Sequence, residues 1–199
     1  MNAAQTESLK ASLTYFSSHT SSAEARAYAQ QIAAFVASAV RPWSRATLEG
    51  HLTASAWVID RSGSYAAMIH HCTLGRWLQP GGHIEDADIS WRAAAQREVT
   101  EEIGLDAFVA MPDDHKLFDV DVHRIPMRPD VPAHFHYDLR FLFVADVDAR
   151  LDAERDASLK TNVDEAHDCR WFRLADLADA ALLEPSLRRM VELSVQRFL

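Results

Sequence analysis

The stretch from Gly81 to Leu105 constrains this chain most: two glycines, a short polar link, then a helical pattern with glutamates gathered on one side. Ala95, Val99 and Ile103 recur at i, i+4 and i+8, which predicts a helix over Ile89–Ile103 that Gly104 is placed to end. On that helix Glu98, Glu101 and Glu102 stand at i, i+3 and i+4 and share one face. Unassisted, the arrangement is unfavourable. Like charges at this spacing cost a few tenths of a kcal/mol, and each carboxylate in the last turn opposes the helix dipole by roughly 0.3–1 kcal/mol. A divalent cation reverses both effects, since Mg²⁺ takes a few carboxylate oxygens together with waters and substrate phosphates. The glycines ahead of the helix allow backbone carbonyls to approach such an ion, and Arg97 stands beside the triplet, able to orient a neighbouring acid.

Short β-like segments surround this helix. His51–Asp60 and Ser64–His71 are apolar and β-branched or aromatic, joined through Arg61-Ser62-Gly63 as a hairpin turn. Trp77–Glu85 reads as a short strand running into a Pro-Gly-Gly turn. His115–Ile125 and His134–Val147 alternate, Cys169–Leu174 is a last strand, and helices follow over Ala175–Leu183 and from Pro185 to the end. Ahead of the strands, Ser21-x-x-Glu24 reads as a capping box opening a helix with Tyr28, Ile32, Phe35 and Val36 on one side, which Pro42 stops. Residues 1–20, polar and Ser/Thr-rich, read as a loose lead-in. The class is mixed α and β, with an N-terminal helical segment over 1–48 and a main domain over 49–199.

Composition narrows the function. With 20 Lys+Arg against 29 Asp+Glu, the net charge of −9 disfavours binding to nucleic-acid polymers, which needs a basic surface. Action on phosphates then requires a cation to supply the positive charge. No apolar run approaches the about 20 residues that span a bilayer, and Met1–Lys10 lacks the pattern of a secretory signal. Two cysteines, Cys72 and Cys169, make no disulfide scaffold, so a reducing, cytoplasmic setting without membrane attachment is expected.

The segment resembles the Nudix box, which runs Gly, five residues, Glu, seven residues, then Arg-Glu-apolar-x-Glu-Glu-x-Gly-apolar. Arg97-Glu98-Val99-Thr100-Glu101-Glu102-Ile103-Gly104-Leu105 matches every fixed position of the second half. In the first half, Asp88 stands five residues after Gly82 in place of Glu, and eight residues rather than seven separate it from Arg97, so Asp88 and Glu85 are both open as partners of Arg97. The resemblance implies an α/β/α sandwich, a mixed sheet between helices, with the N-terminal helix as an addition. It implies hydrolysis of a nucleoside diphosphate linked to another moiety, or of a related diphosphate, with Mg²⁺ or Mn²⁺. By the same likeness Glu98, Glu101, Glu102 and the carbonyl of Gly81 or Gly82 are the expected metal ligands. Glu101, Glu102 or an acid of the Asp164-Glu165 loop would act as base, and Arg97 would support them. ADP-ribose, dinucleoside polyphosphates, oxidised nucleotides and coenzyme A derivatives all stay open as substrates, and a homodimer as an assembly. A catalytically silent nucleotide-binding or sensor domain is the alternative, against which the intact triplet argues. An isomerase of the same fold is the other, but Cys72 in His70–Trp77 lacks that family's surroundings and reads as structural.

Other residues invite a substrate role. Arg76 and Trp77, just ahead of the glycines, could hold a phosphate and stack on a base, with Trp77 equally readable as core. Trp57 and Trp171 read as core. His134, His136 and Asp138 share one strand face, and Asp119, Asp121 and His123 share another. If the strands pair, six polar groups lie together. Alternation by itself produces a solvent-facing sheet side, the expected reading over a second metal site, while substrate contact by His134 and His136 stays open.

Overall fold

The computed structural model describes residues 1–111, 116–150, 158–162, 166–180 and 183–199. It opens on two helices, α1 (Ala3–His19) and α2 (Ala23–Ser38). The first corrects the expectation of a loose lead-in. The Asn2 side chain accepts the Gln5 N–H and the Gln5 side chain accepts the Asn2 N–H, a reciprocal cap that satisfies two otherwise orphaned donors. Leu9, Leu13 and Phe16, spaced on one face, are buried. The second helix starts one residue later than its sequence pattern indicates. Ser22, not Ser21, accepts the Ala25 N–H, and Glu24 turns out to meet Arg189.

Eight strands follow: β1 (Gly50–Ile59), β2 (Tyr65–His71), β3 (Arg76–Leu78), β4 (Gly81–His83), β5 (Phe108–Val109), β6 (Asp119–Ile125), β7 (His134–Ala145) and β8 (Ala166–Arg173). They form one sheet with the path β3-β2-β1-β7-β5, to which β4 adds on β1, β6 on β7 and β8 on β2. All pairs are antiparallel except β1 and β7, which run parallel from Gly50↔Phe135 to Ile59↔Val144. A parallel pair needs a crossover rather than a hairpin, and α3 (Trp91–Ile103) lies within that crossover. The expected turn at Pro80-Gly81-Gly82 is instead the entry to β4. The β1–β2 hairpin is as expected, closed by the buried Asp60 carboxylate, which accepts the Ser64 and Tyr65 N–H groups, each at 3.0 Å.

Alternation along β1 divides the core in two. Leu52, Ala54, Ala56 and Val58 pack with residues of α1, α2 and α3, among them Leu13, Ile32, Ala95 and Val99. Trp57 and Ile59 point the other way, onto α4 (Leu174–Asp179) and α5 (Pro185–Phe198), where Leu177, Leu187, Met190 and Val191 are buried. Helices therefore cover both faces of a mixed sheet, the expected α/β/α sandwich, with two N-terminal helices rather than one. Trp57 and Trp171 are core residues, 0% and 5% exposed. Among the described residues no helix is long and apolar enough to cross a membrane.

Candidate active site

The helix that carries the glutamates begins at Trp91, capped by the Ser90 hydroxyl, which accepts the Ala93 N–H at 3.0 Å. It ends where expected: Gly104 takes φ 72°, a left-handed conformation that glycine adopts without a side-chain penalty. Between these caps one face of α3 turns toward β4.

Arg97 organises that face. Its Nε and Nη2 donate to the two oxygens of Asp88 at 3.1 and 3.2 Å, Nη2 also reaches the His83 carbonyl at 2.8 Å, and Nη1 donates to Glu98 at 3.0 Å and Glu101 at 2.8 Å. Of the two acids open as its partner, Asp88 is the one it holds. Glu85 enters through its backbone, its N–H donating to the same Asp88 carboxylate at 2.8 Å. Burial alone would lower the Arg97 guanidinium, but the Asp88 bond and the charges of Glu98, Asp88 and Glu101 raise it above its ordinary value. A planar fork with several donors in use cannot be copied by an ammonium. Arg97→Lys is therefore expected to lower stability by about 1.5–3 kcal/mol, the worth of a charge-assisted hydrogen bond, read as a shift in urea midpoint. An unchanged midpoint would show that Arg97 does not hold this face together.

The glutamates differ in placement. Glu98 and Glu102 are buried, 8% and 5% exposed, while Glu101 is exposed beside Arg97. Glu102 accepts the Gly81 N–H at 2.8 Å. Glu98 lies over Gly82 so closely that a Cβ there would come within 2.7 Å of both its carboxylate oxygens, so any larger residue would push the Glu98 carboxylate aside. Two buried carboxylates thus lie against Gly81-Gly82, and Arg97 holds the exposed third beside Glu98, a set of hard oxygen donors suited to Mg²⁺ or Mn²⁺.

The remaining candidates fall elsewhere. Arg76 forms an ion pair with Glu184, and Trp77 packs against His70 and Phe172, so the structure joins neither to the carboxylates. Asp164 and Glu165 lie outside the described residues.

The two polar strand faces do pair, with Asp121↔Asp138, His123↔His136 and Asp119↔Arg140 in register. The parallel neighbour β1 adds His51↔His136, Thr53↔Asp138 and Ser55↔Arg140. Most of this side is not solvent-facing as alternation suggested: Asp119, Asp121, Asp138, His134 and Arg140 are buried and His136 is partly buried, while His123 is exposed. Asp138 accepts from Thr53 at 2.9 Å, Ser55 at 2.8 Å and Arg140 Nε at 2.9 Å. Arg140 also reaches Asp119 at 3.0 Å, and Arg189 of α5 closes the network on Asp119 and Asp121 at 3.0 and 3.3 Å. Burial would raise the Asp121 carboxyl, but the hydrogen bond with His123 and the charges of Arg140 and Arg189 outweigh it and hold it at about 2.

Beside this network five imidazoles crowd together. The His51 ring centroid lies 5.0 Å from His83, 5.1 Å from His134 and 4.8 Å from His136, and His123 lies 5.5 Å from His136. Burial, reinforced by neighbouring rings, lowers His51 and His83 to about 4 and His136 to about 2, so all three are neutral near pH 7. His51, His83, Thr53 and Ser55 were not legible as site residues. The parallel register of β1 on β7 brings in His51, Thr53 and Ser55, the antiparallel register of β4 on β1 brings in His83, and no local spacing encodes either.

The NUDIX domain family model matches residues 50–193. No curated protein matches the chain. Among solved structures, a C. elegans Ap4A hydrolase binary complex is similar with a TM-score of 0.52 at 14% identity, over 74% of this chain and 96% of that one. A Nudix-family hydrolase from Clostridium perfringens gives a TM-score of 0.49 at 19% identity, over 74% of this chain and 95% of that one. With the family match spanning well over half its length and taking in the whole of the Arg97–Leu105 motif, the chain belongs to the Nudix domain family.

Proposed function

We propose that this protein is a metal-dependent hydrolase that cleaves a diphosphate linkage, its substrate a nucleoside diphosphate joined to another moiety. The observation that supports this best is the burial of Glu98 and Glu102 against Gly81-Gly82, with Arg97 bracing Glu98 and Glu101. Glu98, Glu101, Glu102 and the Gly82 carbonyl would hold Mg²⁺ or Mn²⁺, whose charge neutralises the diphosphate and lowers the pKa of a bound water. The chain's own residues do the rest. Glu101 or Glu102 takes the proton from the attacking water. Arg97, fixed by Asp88 and the His83 carbonyl, holds Glu98 and Glu101 in place. His134 and His136, on β7 and across β1 from β4, contact the substrate.

A screen of ADP-ribose, dinucleoside polyphosphates such as the Ap4A that names the C. elegans neighbour, oxidised nucleotides and coenzyme A derivatives tests the reading. Released phosphates are followed by chromatography with Mg²⁺ or Mn²⁺ present. Turnover of at least one compound that stops when the metal is chelated is the expected result. Metal-dependent binding with no turnover of any compound would make the protein a nucleotide-binding domain instead.

A further inference from the structure

His51, on β1, is 3% exposed, and among the described residues neither of its ring nitrogens has a hydrogen-bond partner. A buried polar group left unsatisfied costs about 1–3 kcal/mol, so this ring calls for a ligand. Two further histidines stand around it. One ring nitrogen from each of His51, His83 and His136 can be chosen so that all three lie within 4.8 Å of one another, the one such group of His, Cys, Asp or Glu among the described residues. They come from three strands, β1, β4 and β7, whose mutual registers fix them.

We propose that His51, His83 and His136 bind one transition-metal ion of the zinc class, at a site separate from the carboxylates of α3. Imidazole nitrogens suit zinc, copper, iron and nickel, whereas Mg²⁺ prefers oxygen. Zinc–nitrogen bonds of about 2.0–2.1 Å place tetrahedral ligands about 3.4 Å apart, so small rotations of the rings close the present spread. The neighbouring ring supplies the outer support that ligating histidines ordinarily have. His134 Nδ1 faces the Pro132 carbonyl at 2.9 Å and so carries its proton there. Its Nε2 then accepts from His136 Nε2 at 3.3 Å, which leaves the lone pair of His136 on Nδ1. Three protein ligands leave a fourth position for water or an anionic oxygen, the open arrangement of zinc sites that do chemistry. Successive strand residues face opposite ways, so Gly82 meets Glu98 while His83 meets His51, and β4 separates the two sites. The inference does not depend on the hydrolytic reading, except that it engages both nitrogens of His134 and His136 and so replaces their direct contact with the substrate.

The test uses the full chain without a polyhistidine tag, stripped with chelator and titrated with Co²⁺, whose visible absorption reports a nitrogen-rich site of low coordination number. One equivalent should bind with this absorption, excess Zn²⁺ should displace it, and excess Mg²⁺ should not. His83→Gln and His136→Gln, both at partly exposed positions, should weaken binding by at least about 100-fold, the most that loss of an outer-shell partner alone costs. Glu98→Gln/Glu102→Gln should leave it intact. No visible band, a band unchanged in both histidine variants, or a band lost in the glutamate variant would each overturn the site. X-ray absorption on zinc-loaded wild type needs no variant: imidazole scattering supports the proposal, and a first shell of oxygen alone refutes it.

Discussion

Glu102→Gln is expected to lower turnover on the best diphosphate substrate by at least about 100-fold, the scale of removing a positioned acid–base or charge-stabilising group, while the fold survives. The amide oxygen of Gln can still accept the Gly81 N–H that Glu102 holds at 2.8 Å, so β4 stays docked on α3. Removing one of two buried carboxylates at i, i+4 also relieves repulsion, and the melting temperature should be level or slightly higher. Glu98→Gln should behave alike in turnover, because Gln keeps the shape that fills the space over Gly82. The double variant should be little worse than the worse single, since residues acting as a unit are not additive. Mg²⁺ or Mn²⁺ at millimolar concentration should raise the melting temperature of wild type by mass action, and much less that of the double variant. Steady-state kinetics and thermal melts read both. Full activity of Glu102→Gln at saturating Mg²⁺ would move the site off this helix.

That such a test can be aimed at two residues reflects how much of α3 was legible. Glutamates at i, i+3 and i+4, an apolar stripe and a terminal glycine are local signals, and local signals survive folding. The partner of Arg97 was not legible, because it depends on how the 83–90 loop turns, which the Asp88 N–H to Glu85 carbonyl bond settles at 3.1 Å. Helix α1 was missed for another reason. Its apolar stripe is narrow and its many hydroxyls resemble a loop. In the structure Ser12, Thr14 and Ser18 bond back to carbonyls one turn earlier, so they sit within the helix instead of competing with it. The sheet face shows the limit most clearly. Alternation reads the same whether the polar side meets water or a helix. What decides is α5, which brings Arg189 onto Asp119 and sets Ser194 against the Trp57 indole at 2.7 Å. The histidine cluster needed two things more, the parallel register of β1 on β7 and the antiparallel register of β4 on β1.

The buried network under α5 should be the costliest place to lose a single charge. Arg140 is 2% exposed and is held by Asp138 at 2.9 Å and Asp119 at 3.0 Å, with Asp121 at 3.5 Å. Burial would strip its proton more easily, but these three carboxylates raise its pKa and keep it charged. Arg140→Met removes the cation and leaves Asp138 buried with only Thr53 and Ser55 as the donors identified around it. Breaking a buried pair this way costs about 3–5 kcal/mol, a drop in melting temperature of roughly 6–20 °C at 2–4 °C per kcal/mol for a chain of this size. The loss should depend on pH in a definite direction. In wild type Asp121 is held at about 2, below the about 3.9 of an unfolded aspartate, so its contribution is complete above pH 4 and lost as pH falls through 2. In Arg140→Met the uncompensated carboxylates take up protons at higher pH, and protonation removes the buried charge that makes the variant unstable. Urea midpoints at pH 7 and pH 4 should therefore show the gap between the two proteins narrowing in acid. Adding Asp138→Asn to Arg140→Met should recover part of the loss at pH 7, because it deletes the acid left without its cation. A gap below about 1 kcal/mol at pH 7, the range of an exposed ion pair, or one that ignores pH, would mean that water reaches this layer and that the sheet face is solvated after all.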